Sequence, residues 1–162
     1  MFVHLTREDR VSRILRAGLG RLRRGTSTLP SGIYATPVTR NFYVSHQWLR
    51  ELRRRGPSPV AAIYFRIDDE EPVWVGHYGG RHQQMRAAEA VSTFLSADVK
   101  EGWEVLIPRR IGPQEIHRVR GLRQIIGWRY YPGAHGRKPC ACDFCTRGAI
   151  GGARIRRRLG PK

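Results

Sequence analysis

One carboxylate opens a short apolar segment in the second half of the chain. Glu104 precedes Val105-Leu106-Ile107, and Pro108 ends the run, a pattern that predicts a short strand. An acid there is either a solvated strand end or a catalytic group at the rim of a cleft. A carboxylate in a cleft can hold a hydroxyl group and stabilise a developing positive charge. Glu104 is therefore a candidate catalytic residue, and we expect the rival Glu115 to have a surface role.

Two further candidates lie on predicted strands near the N-terminus. The first residues alternate so that His4 shares a face with Thr6, whereas Val3 and Leu5 point the other way. The segment around Tyr34 reads as a second short strand. A histidine beside the N-terminus and a lone strand tyrosine are each usually surface or core residues. Their significance therefore depends on their occurring together with the carboxylate.

A cluster of metal-ligating residues lies near the C-terminus. The spacing His-x4-Cys-x-Cys-x2-Cys could form one tetrahedral zinc shell, which would be structural because all four positions are filled by protein. The predicted ligands are His135, Cys140, Cys142 and Cys145. His117 or His82 could replace His135 as the fourth ligand. The alternative interpretation is three reduced cysteines in a loop.

The charge of the chain favours a polyanionic partner. The 162 residues include 30 basic and 13 acidic ones, for a formal net charge of +17, and nearly all of the basic residues are arginine. Guanidinium groups bind phosphates bidentately and stack on bases, so a nucleic acid is the expected partner. A preference for arginine codons would explain the scarcity of lysine but not the excess of base over acid.

Length and hydropathy indicate one main domain with a small appendage. We place the domain at residues 1–130, and the cysteine cluster with its basic tail at 131–162. No segment is long or apolar enough to span a membrane, and the first residues do not resemble a secretory signal. The sequence therefore predicts a cytoplasmic protein, with no membrane partner.

Two helices are expected to support these strands. Thr6 and Asp9 resemble a capping box ahead of an apolar stripe, and Gly18 and Gly20 are expected to end the helix. The stripe consists of Val11, Ile14, Leu15 and Leu19. Asn41 is placed to cap a second helix that runs from Phe42 to about Arg55. The apolar side of that helix carries Val44, Trp48 and Leu52.

Short strands outnumber the helices, so the fold class is α+β. Further strands are predicted at 60–67, 73–75, 115–119 and 124–128, and the acidic turn 68–70 separates the first two. The Gly-rich loop 76–82 matches neither a Walker nor a dinucleotide-binding motif. Residues 85–95 fit either a helix or a helix that ends in a strand.

Three segments in this order resemble the ADP-ribosyltransferase superfamily, in particular the branch with a His-Tyr-Glu triad that includes diphtheria-type toxins and DarT-like enzymes. They are His4-Leu5-Thr6 with the later Ile14 to Leu19, Gly32-Ile33-Tyr34-Ala35-Thr36, and Glu104 to Pro108 with the trailing Ile111 to Ile116. The matches span roughly residues 1–120. The resemblance implies a split β-sandwich with flanking helices, to which a small zinc-knuckle-like extension would be appended.

The resemblance also implies roles for the candidate residues. The cosubstrate would be NAD, with Glu104 catalytic, His4 bonded to the nicotinamide-side ribose and Tyr34 stacked on the nicotinamide ring. Thr6 would support the strand at the edge of the NAD site, although helix capping explains it equally well. Members that modify arginine carry an acid or amide two residues before the glutamate, and here that position is Gly102. Protein arginine is therefore doubtful as the acceptor.

Three functions remain open at this point. The first is an NAD-dependent mono-ADP-ribosyltransferase, toxin-like or defence-related, that modifies RNA or DNA. An antitoxin or a reversing hydrolase would be its partner, but the sequence carries no signal for either. The second is an RNA 2'-phosphotransferase, whose histidine and arginine positions are not found in order here. The third is a noncatalytic zinc-dependent nucleic-acid-binding protein.

Overall fold

A computed structural model describes residues 1–20, 25–26, 28–54, 60–78 and 80–122. The boundary at 130, the strand predicted at 124–128, the cysteine cluster and the basic tail all lie outside these residues. The zinc ligands predicted at His135, Cys140, Cys142 and Cys145 therefore remain predictions.

The described residues form seven strands and four α-helices. In chain order they are β1 (Phe2–Arg7), α1 (Val11–Ala17), β2 (Ile33–Pro37), α2 (Phe42–Ser45), α3 (Leu49–Arg54), β3 (Val60–Phe65), β4 (Pro72–His77), β5 (His82–Arg86), α4 (Ala87–Ser96), β6 (Trp103–Ile107) and β7 (Ile116–Leu122). Two short 3-10 helices, Glu8–Arg10 and Pro113–Glu115, precede α1 and β7. None of the described helices has the length and apolarity needed to cross a bilayer.

All seven strands belong to one sheet, in the order β5-β4-β6-β2-β1-β3-β7, and every pairing is antiparallel. The predicted α+β class is confirmed. The pairing at the centre of the sheet is short: β1 pairs with β3 along its whole length, but with β2 only at Phe2 and Val3. Beyond Val3 the two central strands diverge, which opens a wedge in the sheet.

Alternating side chains divide the core between the two faces of the sheet. Phe2 lies in a cluster that α1 and α4 cover, whereas Val3 lies in a cluster that α2 and α3 cover. The alternation predicted for the first strand is thus confirmed. A β-strand with apolar residues on both faces must be covered on both, and β3, which lies between β1 and β7, is buried at all six positions.

The first helix is shorter than predicted. Thr6 remains within β1 and does not cap: the residue before the 3-10 turn is Arg7, which makes no side-chain cap, while its guanidinium pairs with Asp9. Leu15 is 52% exposed, so it does not belong to the buried stripe. The capping-box prediction was wrong because β1 extends one residue further to complete its pairing with β3.

The second predicted helix is interrupted. Asn41 does cap it, since its side chain accepts from the backbone N–H of Val44. The helix stops after Ser45 and restarts at Leu49 because the intervening segment turns His46 and Gln47 into the interior. His46 bonds to the hydroxyl of Tyr64, and burial lowers its pKa to about 4, so this imidazole is neutral at neutral pH and structural.

The ambiguous stretch 85–95 resolves into a strand followed by a helix. β5 ends at Arg86, and α4 begins at the next residue, where the side chain of Glu89 accepts from the backbone N–H of Arg86. The flanking strands extend into the predicted Gly-rich loop, since β4 continues to His77 and β5 begins at His82. It is therefore a hairpin rather than an open loop.

Candidate active site

The wedge between β1 and β2 leads into a cleft of about 220 Å³. His4 from β1, Tyr34 from β2 and Glu104 from β6 all line it. The three residues are far apart in sequence, and the sheet order β6-β2-β1 places their strands side by side. All three residues that the sequence selected as catalytic candidates therefore line one cleft.

His4 occupies the point where the two central strands separate. Its Nδ1 donates to the carbonyl oxygen of Tyr34 at 2.7 Å, in place of the backbone pairing that ends at Val3. This bond leaves Nε2 as an acceptor. Burial, and to a lesser degree the charge of Arg10, lower the pKa of His4, while the bond to Tyr34 opposes them. The ring is therefore neutral at neutral pH and can accept a hydrogen bond from a hydroxyl group.

Tyr34 and Glu104 project from the same face of the sheet. Tyr34 is paired with Leu106, and Glu104 is two residues from Leu106 on the same strand, so the tyrosine and the carboxylate are diagonal neighbours. This face is the one that α2 and α3 cover. A ligand that stacks on Tyr34 would consequently lie within reach of the carboxylate.

The turn before Glu104 is held by a buried amide. Gln47, which is fully buried, donates to the carbonyl of Lys100 at 2.9 Å and accepts from the backbone N–H of Gly102. The indole of Trp48 donates to the carbonyl of Trp103 at 3.2 Å. The interruption between α2 and α3 thus fixes the start of the strand that carries Glu104.

Four residues of the site were not identified as such from the sequence. Trp48, Glu51 and Tyr78 line the cleft, and His82 lies beside Glu104, with 3.3 Å between its Nε2 and Oε1 of the carboxylate. The rings of Trp48 and Tyr78 lie 5.5 Å apart and form an aromatic wall. One signal was available: Glu51 is the lone acid in a run of arginines.

Gly102 has a structural reason to be glycine. Its φ is +84°, a conformation that residues with a side chain rarely adopt, and an added Cβ would collide with the ring of His77. An acid at this position would need both a different backbone conformation and a displaced His77. The absence of a second acid two residues before Glu104 is therefore built into this turn.

A second, smaller cleft lies on the other side of His4, beneath α1. It is lined by His4 and Thr6 from the strand, by Arg10 and Arg13, and by the glycines after α1. Thr6 is buried there, at 7% exposure. Arg10 and Arg13 are the two arginines that line this cleft, and their guanidinium groups suit an anionic group such as a phosphate.

Glu115 lies elsewhere. Its carboxylate accepts two hydrogen bonds from the guanidinium of Arg109 and one from the backbone N–H of Gly112, while Arg109 also binds Glu71. The hydrogen bonds from Arg109 lower the pKa of Glu115. This cluster ties the end of β6 to the start of β4. Glu115 is thus a partly buried structural residue rather than a surface residue.

The alternative zinc ligands have different surroundings. Both ring nitrogens of His82 face protein oxygens, those of Gly80 and Glu104, and His117 is exposed on β7. Within residues 1–122, as far as they are described, no group of three or more potential ligands could hold a metal ion. Glu104 is the potential ligand beside His82 in this part of the chain, and two such groups do not make a zinc site.

Comparisons with known protein families, with curated proteins and with solved structures found no match.

Proposed function

We propose that this protein is an NAD-dependent mono-ADP-ribosyltransferase whose acceptor is a nucleic acid. The observation that carries the proposal is the convergence of His4, Tyr34 and Glu104 on one cleft at the divergence of β1 and β2. The resemblance rests on local motifs and carries no information on the distances between these residues. Their meeting in one cleft therefore supports the proposal independently of the motifs.

The geometry suits cleavage of the bond between ribose and nicotinamide. His4 Nε2 would accept a hydrogen bond from a ribose hydroxyl, and the ring of Tyr34 would stack on the nicotinamide. The carboxylate of Glu104 would hold a second hydroxyl and stabilise the positive charge that develops at the ribose carbon. The aromatic pair of Trp48 and Tyr78 would exclude water from one side of the reacting bond.

The second cleft supports a ligand that extends beyond the reacting bond. Because His4 lines both clefts, a dinucleotide bound across it would bring its phosphates near Arg10 and Arg13. Both arginines are exposed at the surface of α1 and the turn before it, so they can reach a ligand without desolvation of an unpaired charge. Thr6 would border this half of the site.

The acceptor is proposed from charge. The net charge is +17, and the surface near the second cleft carries several exposed arginines. They are Arg7, Arg10, Arg13, Arg16 and Arg110. A strand of RNA or DNA that follows this surface would bring its bases toward the wedge between β1 and β2. A toxin-like or defence-related role would follow from modification of a nucleic acid.

The decisive experiment is transfer of label from NAD. Purified protein would be incubated with NAD labelled in the adenosine half and with RNA, single-stranded DNA or lysate. We expect transfer by the wild type and a loss of at least about 100-fold in Glu104→Gln, which keeps the shape but removes the charge. Glu70→Gln is the matched control, since Glu70 pairs with Arg86 at the exposed surface. Equal transfer by all three proteins would contradict the role of Glu104.

The same assay separates the alternatives. Nucleic-acid binding without consumption of NAD would favour the noncatalytic binding protein. Removal of a 2'-phosphate from RNA in place of label transfer would favour the phosphotransferase. Protein in lysate as the labelled product would keep the transferase but change its acceptor.

Structural zinc at His135, Cys140, Cys142 and Cys145 is part of the proposal. The prediction is one zinc per chain by elemental analysis, lost together with part of the folded structure on treatment with a chelator. Because the C-terminal segment is basic, we expect nucleic-acid affinity to fall with the metal while NAD cleavage persists. A metal-free, fully folded protein with three titratable thiols would remove the zinc site.

A further inference from the structure

The side chain of a histidine on β5 reaches across β4 to the candidate catalytic carboxylate on β6. His82 on β5 is paired with Gly76 on β4, which is paired in turn with Glu104 on β6, so the three positions form one row on one face of the sheet. A Cβ at Gly76 would lie 2.6 Å from the carbonyl oxygen of Arg81, and 2.9 Å from both Cα and Cγ of His82. The missing side chain at Gly76 thus lets both the backbone and the imidazole of His82 lie close to β4, in the row that leads to Glu104.

The hydrogen bonding of His82 fixes the position of its protons. Nδ1 faces the carbonyl oxygen of Gly80 at 3.3 Å, and a carbonyl only accepts, so Nδ1 carries a hydrogen. In a neutral ring Nε2 would then direct a lone pair at the carboxylate of Glu104, 3.3 Å away. Two acceptors facing each other repel, so the pair is stable only with a proton between them.

This proton lies in a buried position. The His82 side chain is 2% exposed, that of Glu104 is 11% exposed, and Nε2 has no hydrogen-bond partner in the described part of the chain. A buried polar atom without a partner is costly, and a small rotation that turns Nε2–H toward Oε1 removes the cost. Oε1 would then accept from His82, and Oε2 would remain for the cleft.

We propose that His82 is the positioning residue for Glu104: its protonated Nε2 donates to Oε1 and presents Oε2 to the ribose hydroxyl. The proposal rests on the proposed transferase function. His82 does not touch the substrate, so it acts on the orientation of the carboxylate and not on the affinity for NAD. Its contribution therefore appears in kcat.

Substitution of His82 by another N–H donor isolates the contribution of this hydrogen bond. Glutamine is that donor, since its amide nitrogen occupies the position of Nε2. In His82→Gln we expect kcat to stay within about threefold of wild type, because the amide N–H still donates to Oε1. In His82→Leu the donor is absent, and kcat should fall about 10- to 100-fold with little change in the KM for NAD. His117→Gln, on the opposite edge strand, is the matched control and should behave as wild type.

Thermal melting of each variant separates positioning from stability. An active wild type whose His82→Leu variant keeps kcat would overturn the proposal and leave the transferase intact. Equal inactivity of folded Gln and Leu variants would also overturn it, because the donor would then be irrelevant.

Nitrogen NMR of labelled histidine gives a readout that does not need activity. At neutral pH the Nε2 of His82 should carry a hydrogen in the wild type and lose it in Glu104→Gln, whose amide can itself donate to the ring. An unprotonated Nε2 in the wild type would overturn the pairing. If the wild type consumes no NAD, the transferase proposal fails on that result, whereas the NMR result still decides the pairing.

Discussion

Gly102 shows how a single residue restricts the chemistry of the site. The turn before Glu104 needs a positive φ at this position and leaves no space for a Cβ beside His77. In Gly102→Ala we expect a loss of about 1–3 kcal/mol in the free energy of unfolding. Since the turn leads directly into β6, activity should fall with it.

Urea denaturation and label transfer measure these two effects. Gly121→Ala in β7 is a suitable control, because its new Cβ would meet only the end of the Glu8 side chain, 3.3 Å away. An unchanged stability in Gly102→Ala would mean that the turn can adopt a different conformation. The turn would then be able to accept an acid two residues before Glu104.

The sequence predicts some residues of the candidate site and misses others. His4, Tyr34 and Glu104 each stand in a short segment that resembles a motif of the ADP-ribosyltransferase superfamily, and the order of these segments was enough to name them. Tyr78 and His82 belong to a hairpin, and the pairing of β4 with β6 brings Tyr78 to the cleft and His82 to Glu104. No local pattern encodes that pairing, which is why these two residues escaped prediction.

Among the elements, the interrupted helix has the clearest functional consequence. A spacing of four residues between Val44, Trp48 and Leu52 predicted one continuous helix, and propensity alone gives no reason to break it. The break is a tertiary effect, since burial of Gln47 is favourable only when its amide finds partners across the cleft. Three backbone groups supply them, from Val44, Lys100 and Gly102.

This connection predicts coupling between stability and catalysis. Gln47→Leu would leave the carbonyl of Lys100 and the N–H of Gly102 without their partner, at a cost of about 1–3 kcal/mol in unfolding free energy. The loosened turn should also lower kcat, because Glu104 is two residues from Gly102. Gln84→Leu on the exposed side of β5 is the control, and it should leave both quantities near wild type.

The comparison of unfolding and kinetics distinguishes two roles for Gln47. A loss of stability without any change in kcat would make the amide a core residue only. A parallel loss, measured at a temperature where both proteins remain folded, would show that the α2–α3 interruption positions the carboxylate.

At the scale of the whole molecule, the class of the fold followed from the number and length of apolar segments, but its topology did not. The order β5-β4-β6-β2-β1-β3-β7 places β1, the first strand, between β2 and β3, and β6 next to β2. Strand order depends on contacts between distant segments, and a pattern of period two is the same for any neighbour. The wedge beside His4 arises from this order, so the sequence predicted residues of the site but not the cleft that they line.

The charge of the whole chain provides the last prediction. With a net charge of +17, affinity for RNA or DNA should fall steeply with salt, by about 10³–10⁵ between 50 and 200 mM if six to ten phosphates are neutralised. Cleavage of NAD without an acceptor should change far less, because it depends on the buried Glu104 and the neutral His4. Fluorescence anisotropy of a labelled oligonucleotide and release of nicotinamide measure the two.

The contrast between these two salt dependences is what assigns the charge to the acceptor. If oligonucleotide binding and NAD cleavage weaken in parallel as the salt concentration rises, the arginines around Arg10 and Arg13 serve the phosphates of NAD rather than a nucleic acid. If binding to the oligonucleotide is independent of salt, the positive charge of the chain does not contact phosphates. In either case a protein or small-molecule acceptor would replace RNA or DNA, whereas the roles of His4, Tyr34 and Glu104 would stand.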